Sequence, residues 1–366
     1  MRLEGIDFLR GIAVSLVIVY HFFVILGLNG SFYFKYIHSF GLLGVSLFFI
    51  VSGYLIYRSA TFSFDKYGTR SGLKHYIYHR VFRILPAYYF NLIVVLMLAT
   101  FVIGNAYFYS GSFLRQIFAH LTFSSYFIYQ DSGFGINGAY WTLNIEMLWY
   151  IIVPLLVVFI KNKYTFLIIV ILSFVYLILL DLGFFDALLN LDKNSSSYQV
   201  KLYYLSFQLP GQISYFISGI LIYKYTKQTL YFTDKNKYIF SFLLSILFIY
   251  ISSTYITPST SFFLNNLFIL SISSLLFLLL YNSKPKGVKW LEWLGKISYS
   301  LYLWHMPLLF VLNKSSLLTH HNMLNVIIIF ILSLLIISSF SYYLIEEGGF
   351  NLRKKLEEKM KKSSAL

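Results

Sequence analysis

The sequence predicts an all-α, polytopic membrane protein of about ten transmembrane helices, with the N- and C-termini on the cytoplasmic side. Three observations carry this reading. The 366 residues are 58% hydrophobic with a mean hydropathy of +0.70, and only 12% are charged, about half the charged share of a soluble domain. Ten apolar stretches approach the ~20 residues a bilayer requires, at about 6–27, 41–60, 84–106, 142–160, 164–181, 205–224, 238–256, 262–281, 291–312 and 323–345. With the N-terminus inside, 22 basic residues fall on cytoplasmic segments and five on outer ones, the bias that sets membrane topology.

Composition also narrows the chemistry. Cysteine is absent, so thiolate nucleophiles, thiolate metal sites and disulfides are excluded. The net charge of +15 belongs to cytoplasmic loops facing a lipid bilayer rather than to nucleic-acid binding. No metal site and no permanently bound cofactor is expected. The N-terminal apolar run carries charges and shows no small-residue cleavage site, so it is expected to remain as the first span. Residues 1–350 read as one transmembrane domain. Residues 351–366 read as a short basic cytoplasmic tail, an amphipathic helix lying on the membrane surface.

The first span, Ile6 to Phe23, is the most informative stretch. It is apolar yet holds Asp7, Arg10 and His21. Eleven positions amount to about three helical turns and ~20° of rotation, so Arg10 and His21 share a face about 16 Å apart, with Asp7 on the same side. Each ionisable group inside a membrane helix costs roughly 2.5–3.5 kcal/mol on insertion scales. Three on one stripe imply either a polar cavity or, more plainly, an Asp7–Arg10 ion pair and a histidine bonded to a neighbouring helix.

The second span opens GLLGVSLFFIVSGYLIY, whose Gly41, Gly44, Ser46, Ser52 and Gly53 permit close helix contact; Ser52 is also a candidate to meet a ligand. The loop 57–83 carries the densest basic cluster. At its end Arg80 and Arg83 share a helix face where the third span enters the membrane, either as topology-setting charge or as a phosphate clamp. Pro86 suits the start of a helix. The outer loop of about 107–140 is too polar to span and reads as a re-entrant or surface element.

In YWTLNIEMLWY, Glu146 sits five residues into the fourth span, at a depth similar to that expected for His21. A carboxylate orienting an imidazole is the usual support of a general base. Trp141 is either an interfacial belt residue or a platform for a sugar ring. Pro210-Gly211 interrupts the sixth span. The ninth, GKISYSLYLWHMP, carries His305 beside Pro307, and Tyr302 one turn earlier; both are candidates to line a cavity, packing being an equal alternative for the histidine.

Read together, R-L-x-x-I-D-x-L-R-G-I-A from Arg2, the spacing Arg10-x10-His21, G-V-x-L-F-F-x-x-S-G-Y-L from Gly44, R-x-x-R-I-x-P-A-Y-Y from Arg80, W-T-L-x-x-E from Trp141 and I-S-Y-S-L-Y-L-W-H-x-P from Ile297 resemble the membrane-bound acyltransferase family 3. The match runs in order from residue 2 to about 310. The resemblance implies an O-acyltransferase that moves an acetyl or similar group from cytoplasmic acyl-CoA, a co-substrate, to a hydroxyl of a glycan acceptor such as lipopolysaccharide, exopolysaccharide or peptidoglycan. It implies a bacterial inner or plasma membrane location. In that frame His21 is the general base, with Glu146 and Arg10 at the catalytic centre. Arg80, Arg83 and Asp7 take the donor, and Ser52, Trp141, Tyr302 and His305 line the acceptor side. One departure is visible: Glu346-Glu347-Gly348 stands where relatives often carry Glu-x-Pro. A transporter or flippase that moves a glycan or acyl donor without chemistry is the alternative, and a non-catalytic subunit of an export machine a weaker third.

Overall fold

The first apolar stretch forms α1, Glu4–Ile25, and the remaining elements follow as helices in chain order. They are α2 (Phe34–Ile37), α3 (Phe40–Leu98), α4 (Ser112–Leu121), α5 (Tyr140–Phe159), α6 (Lys163–Asp181), α7 (Phe184–Leu188), α8 (Tyr198–Ser206) and α9 (Leu209–Tyr225). Then come α10 (Asp234–Tyr255), α11 (Phe262–Leu280), α12 (Lys289–Lys296), α13 (Ser298–Lys314), α14 (Met323–Phe340) and α15 (Glu347–Ser363). This is a computed structural model that describes residues 4–98, 112–125, 136–189, 191–195, 198–226, 234–255, 261–283, 287–315 and 322–363. Among the described residues there is no strand, as the all-α reading requires. In a bilayer only helices satisfy their own backbone groups without closing a barrel. The end of the third apolar stretch and much of the loop expected at 107–140 lie outside the described residues.

Eight helices among the described residues are long and apolar enough to cross a membrane. Ten were expected, and the difference has two visible sources. The element counted as Phe34–Leu98 carries both the second stretch and the described part of the third. The ninth stretch breaks at Ile297, leaving α13 only 17 residues long. The expected interruption at Pro210 is present: α8 ends at Ser206 and α9 restarts with proline in its first turn, where a missing N–H costs least.

Inside α3 the chain reverses at Gly68, whose φ of 73° lies in the left-handed region. Hence α3 is a helical hairpin rather than a rod. Ser63 Oγ meets His75 Nδ1 at 2.9 Å, and Arg80 donates to Ser59 Oγ at 3.2 Å across the two arms. The basic loop expected at 57–83 is therefore helical, and its hairpin delivers Arg80 and Arg83 to a fixed place. Arg353 of α15 donates to His79 Nδ1 at 2.9 Å, so the tail helix docks on this hairpin. Burial, together with the positive charge of Arg353, holds the His79 imidazolium down to about 3. A group depressed in this way stays neutral when docked but takes up a proton once released. Docking is thus full above the ordinary histidine pKa of about 6.5 and weakens as pH falls below it. Protection against hydrogen exchange at residues 347–355, corrected for the pH dependence of intrinsic exchange, should fall between pH 7.5 and 5, and less so in His79→Gln.

Glycines set the closest helix approaches. A Cβ at Gly53 would strike the Phe216 carbonyl, and one at Gly219 the Ile50 carbonyl, which seats α3 against α9 backbone to backbone. Gly11 and Gly295 do the same for α1 and α12, against the carbonyls of Leu291 and Asp7. Small residues at crossings are how membrane helices pack without a hydrophobic drive. Gly219→Leu is expected to cost at least the ~1–3 kcal/mol of an overpacked core, read as a lower melting temperature of the detergent-extracted protein.

The last span ends in a π-helical stretch, Ser341–Glu346. Such bulges occur frequently at functional sites, and this one leaves Glu346 buried, accepting a bond from Ser300 Oγ of α13.

Candidate functional site

Four helices enclose a cavity of about 480 Å³. From α1 comes Arg10; from the two arms of α3 come Ser52, Arg58, Arg80 and Arg83; from α5, Thr142, Glu146 and Tyr150; and from α13, Tyr299 and Tyr302. Phe48, Phe49, Val51 and Leu55 supply apolar wall. Four guanidinium groups face a single carboxylate, so the cavity favours an anion with an apolar extension.

Glu146 is held by two hydroxyls. Its Oε1 accepts from Ser52 Oγ and from Tyr150 Oη, both at 2.8 Å. Tyr150 lies one turn beyond Glu146 on α5, at the spacing where helix neighbours meet. The guanidinium of Arg80 lies over the rings of Tyr76 and Tyr150, at 6.0 and 5.7 Å, which fixes it without spending its donors on a carboxylate.

A second cavity of about 290 Å³ adjoins the first, and Arg10, Leu55, Arg58 and Arg83 line both. Its remaining wall includes Asp7, Lys296, Tyr342 and Glu346. Asp7 and Arg10 do therefore share a polar stripe, as their spacing predicts, and the stripe faces a hollow. Lys296 pairs with Glu347 at 3.5 Å and lies over the ring of Tyr342 at 5.0 Å.

His21 is placed differently from the expectation. It is not among the residues lining either cavity, and it does not pair with Glu146. Its Nδ1 lies 3.0 Å from the Val17 carbonyl and 3.3 Å from His305 Nε2, and the two imidazole rings stand 5.1 Å apart. The reason is depth. Tyr302, one turn before His305, joins hydroxyls with Thr142 at 2.8 Å, and Thr142 lies one turn before Glu146 on α5. The two offsets add, so the histidine pair sits about two turns, ~10 Å, beyond the carboxylate. Tyr302 bridges the two levels: it lines the cavity, and its carbonyl lies 2.7 Å from His305 Nδ1.

Among the other expected residues, Trp141 stacks on Phe207 at 4.5 Å and 15° and receives Phe49 edge-on, so one face of the ring is engaged within the protein. Residues that the sequence reading did not single out as site groups include Arg58, Thr142, Tyr150, Tyr299 and Lys296. Tyr150 was signalled by its i+4 spacing from Glu146. In the sequence Arg58 counts only among the basic residues of the cytoplasmic segments, and Lys296 only as a charge within a span.

An acyltransferase domain model, that of acyltransferase family 3, matches residues 3–344. The chain belongs to this family. Its relatives include “Putative acetyltransferase ORF330” of Acidianus two-tailed virus, 26% identical over 81% of this chain and 81% of that protein. An O-acetyl transferase of Shigella phage Sf6 is 31% identical over 48% of this chain and 51% of its own. The peptidoglycan O-acetyltransferase OatA of Listeria monocytogenes is 26% identical over 83% of this chain and 49% of its own length. The chain thus spans about half the length of the last two. No solved structure matches. Family membership and the apolar helices make the protein a multi-pass membrane member of an acyltransferase family.

Proposed function

We propose that the protein transfers an acetyl or similar acyl group from a cytoplasmic acyl-CoA to a hydroxyl of a cell-surface or exported polysaccharide, in a bacterial inner or plasma membrane. The observation that carries this reading is the arginine-walled, partly apolar cavity lined by Tyr302, whose carbonyl meets His305 of the His21–His305 pair. An acyl-CoA has matching parts: anionic phosphates and a long, weakly polar arm ending in the thioester. Arg80 and Arg83, with Arg10 and Arg58 on the wall shared by the two cavities, suit the phosphates, since guanidinium groups bind phosphate oxygens in a fork. Asp7 and Glu146 serve as counter-ions that keep this wall from being uniformly cationic, and Ser52 and Tyr150 hold Glu146 in place.

At the far end His21 acts as general base. Its Nε2 takes the proton of the acceptor hydroxyl as that oxygen attacks the thioester carbon. The carbon–sulfur bond breaks, CoA leaves as thiolate, and the imidazolium returns the proton to sulfur or to solvent. Tyr302 and Thr142 stand between cavity and imidazole, so the thioester passes beside them. The name of one relative, a peptidoglycan O-acetyltransferase, supports a glycan acceptor, and that of another, an O-acetyl transferase, supports transfer to a hydroxyl.

The test is cellular. Surface polysaccharide is purified from producing cells with and without this protein, and acetate released by mild alkali is measured. The proposal predicts ester-linked acetate that depends on the protein; equal acetate in both preparations would end it.

A further inference from the structure

We infer that His305 is a positioning residue that, together with the Val17 carbonyl, holds His21 in the tautomer whose outward nitrogen, Nε2, is the base, and that shares the charge when that nitrogen is protonated. The inference rests on the general-base reading above and goes beyond it by naming what orients the imidazole. A carbonyl can only accept. His305 Nδ1, 2.7 Å from the Tyr302 carbonyl, therefore carries the hydrogen, and in the neutral ring Nε2 is left with a lone pair. That lone pair lies 3.3 Å from His21 Nδ1, which is also 3.0 Å from the Val17 carbonyl. Both neighbours of His21 Nδ1 are acceptors, so this nitrogen carries the hydrogen and donates to the pair of them. The single remaining lone pair of His21 is on Nε2.

The chain of donation runs from His21 Nδ1–H to His305 Nε2, and from His305 Nδ1–H to Tyr302 O. It is anchored at its far end by a residue of the donor cavity. When His21 Nε2 takes up the hydroxyl proton, the charge on the imidazolium is shared with His305 through the same bond. His305 thus does for His21 what the sequence reading assigned to Glu146, but with a neutral acceptor. That difference suits a fully buried position: His305 is 0% exposed, and an unpaired carboxylate there would be costly to bury. Pro307, two residues on within α13, cannot donate a backbone hydrogen to the carbonyl one turn before it, which weakens the helix ladder at the level of the dyad.

Two substitutions separate this role from packing. His305→Gln puts an amide oxygen near the place of Nε2 and keeps an acceptor for His21. His305→Asn keeps a donor near Nδ1 for the Tyr302 carbonyl and removes the acceptor. Initial rates are read as radiolabelled acetate moved from acetyl-CoA into surface polysaccharide purified from producing cells, with acetyl-CoA varied. Variants are compared only after confirming wild-type extraction and monodispersity. A hydrogen bond to a charged group, lost from the transition state alone, corresponds to a loss of roughly ten- to hundredfold. His305→Asn is expected to lose that much in kcat at unchanged KM for acetyl-CoA, and His305→Gln to recover most of it. Equal losses in both variants, or a loss confined to KM, overturn the positioning role while leaving the base in place. His21→Ala with wild-type turnover overturns both.

Discussion

His21→Ala is expected to abolish most of the transfer while leaving acetyl-CoA binding intact. A positioned general base contributes typically 10²–10⁴-fold, and a fall in kcat of that order is the expected result. Donor affinity should survive because the imidazole is outside the cavity proposed for the nucleotide: its Nδ1 meets the Val17 carbonyl and His305, not an arginine. Glu146→Gln supplies the contrast. Were Glu146 the carboxylate that orients the imidazole, its amide variant would mimic the loss of the base. With Glu146 bonded instead to Ser52 and Tyr150 inside the arginine cavity, the variant should act mainly on KM for the donor and spare kcat. Isothermal titration with acetyl-CoA and steady-state rates on the same preparations separate the two patterns.

Arg83→Ala is expected to give the complementary phenotype. Arg83 lines both cavities, so on the proposed donor site its loss would remove a phosphate contact from the wall that they share. Charge-assisted bonds contribute roughly 1.5–3 kcal/mol, which translates to a KM for acetyl-CoA raised about 10- to 100-fold with kcat less changed. Arg83→Lys should recover only part, because an ammonium keeps the charge and loses the planar fork. Raising salt should weaken donor binding to the wild type as well, since part of this attraction is screened. A KM that ignores both substitution and salt would remove the arginine wall from the donor site.

Much of this fold was open to reading in the residues. The apolar stretches announce themselves because lipid tolerates little else, and Pro210-Gly211 marks a real break. The polar stripe of Asp7 and Arg10 follows from helical spacing alone, and both do face one hollow. Partnerships between distant helices were not legible. His21 and His305 are 284 positions apart, and nothing in periodicity says which of two buried acceptors will be at the right depth. Glu146 was matched to His21 by counting residues from opposite membrane faces. Such a count carries an error at each membrane face, and an offset of about two turns exchanges the carboxylate for a second imidazole. Gly68 escaped for another reason: the sequence around it reads as a charged loop, whereas charged residues also make good helices once a glycine lets the chain reverse. Glu346 showed only as a departure from the family pattern, and its inward position depends on the π-helical turn that precedes it.

The most direct test reconstitutes the protein in vesicles with radiolabelled acetyl-CoA sealed inside and purified surface polysaccharide outside. The account predicts alkali-labile label on the external polysaccharide, present with the wild type and lost with His21→Ala. Polysaccharide carried across the membrane without acquiring label, equally by wild type and His21→Ala, would contradict it and leave a transporter in its place.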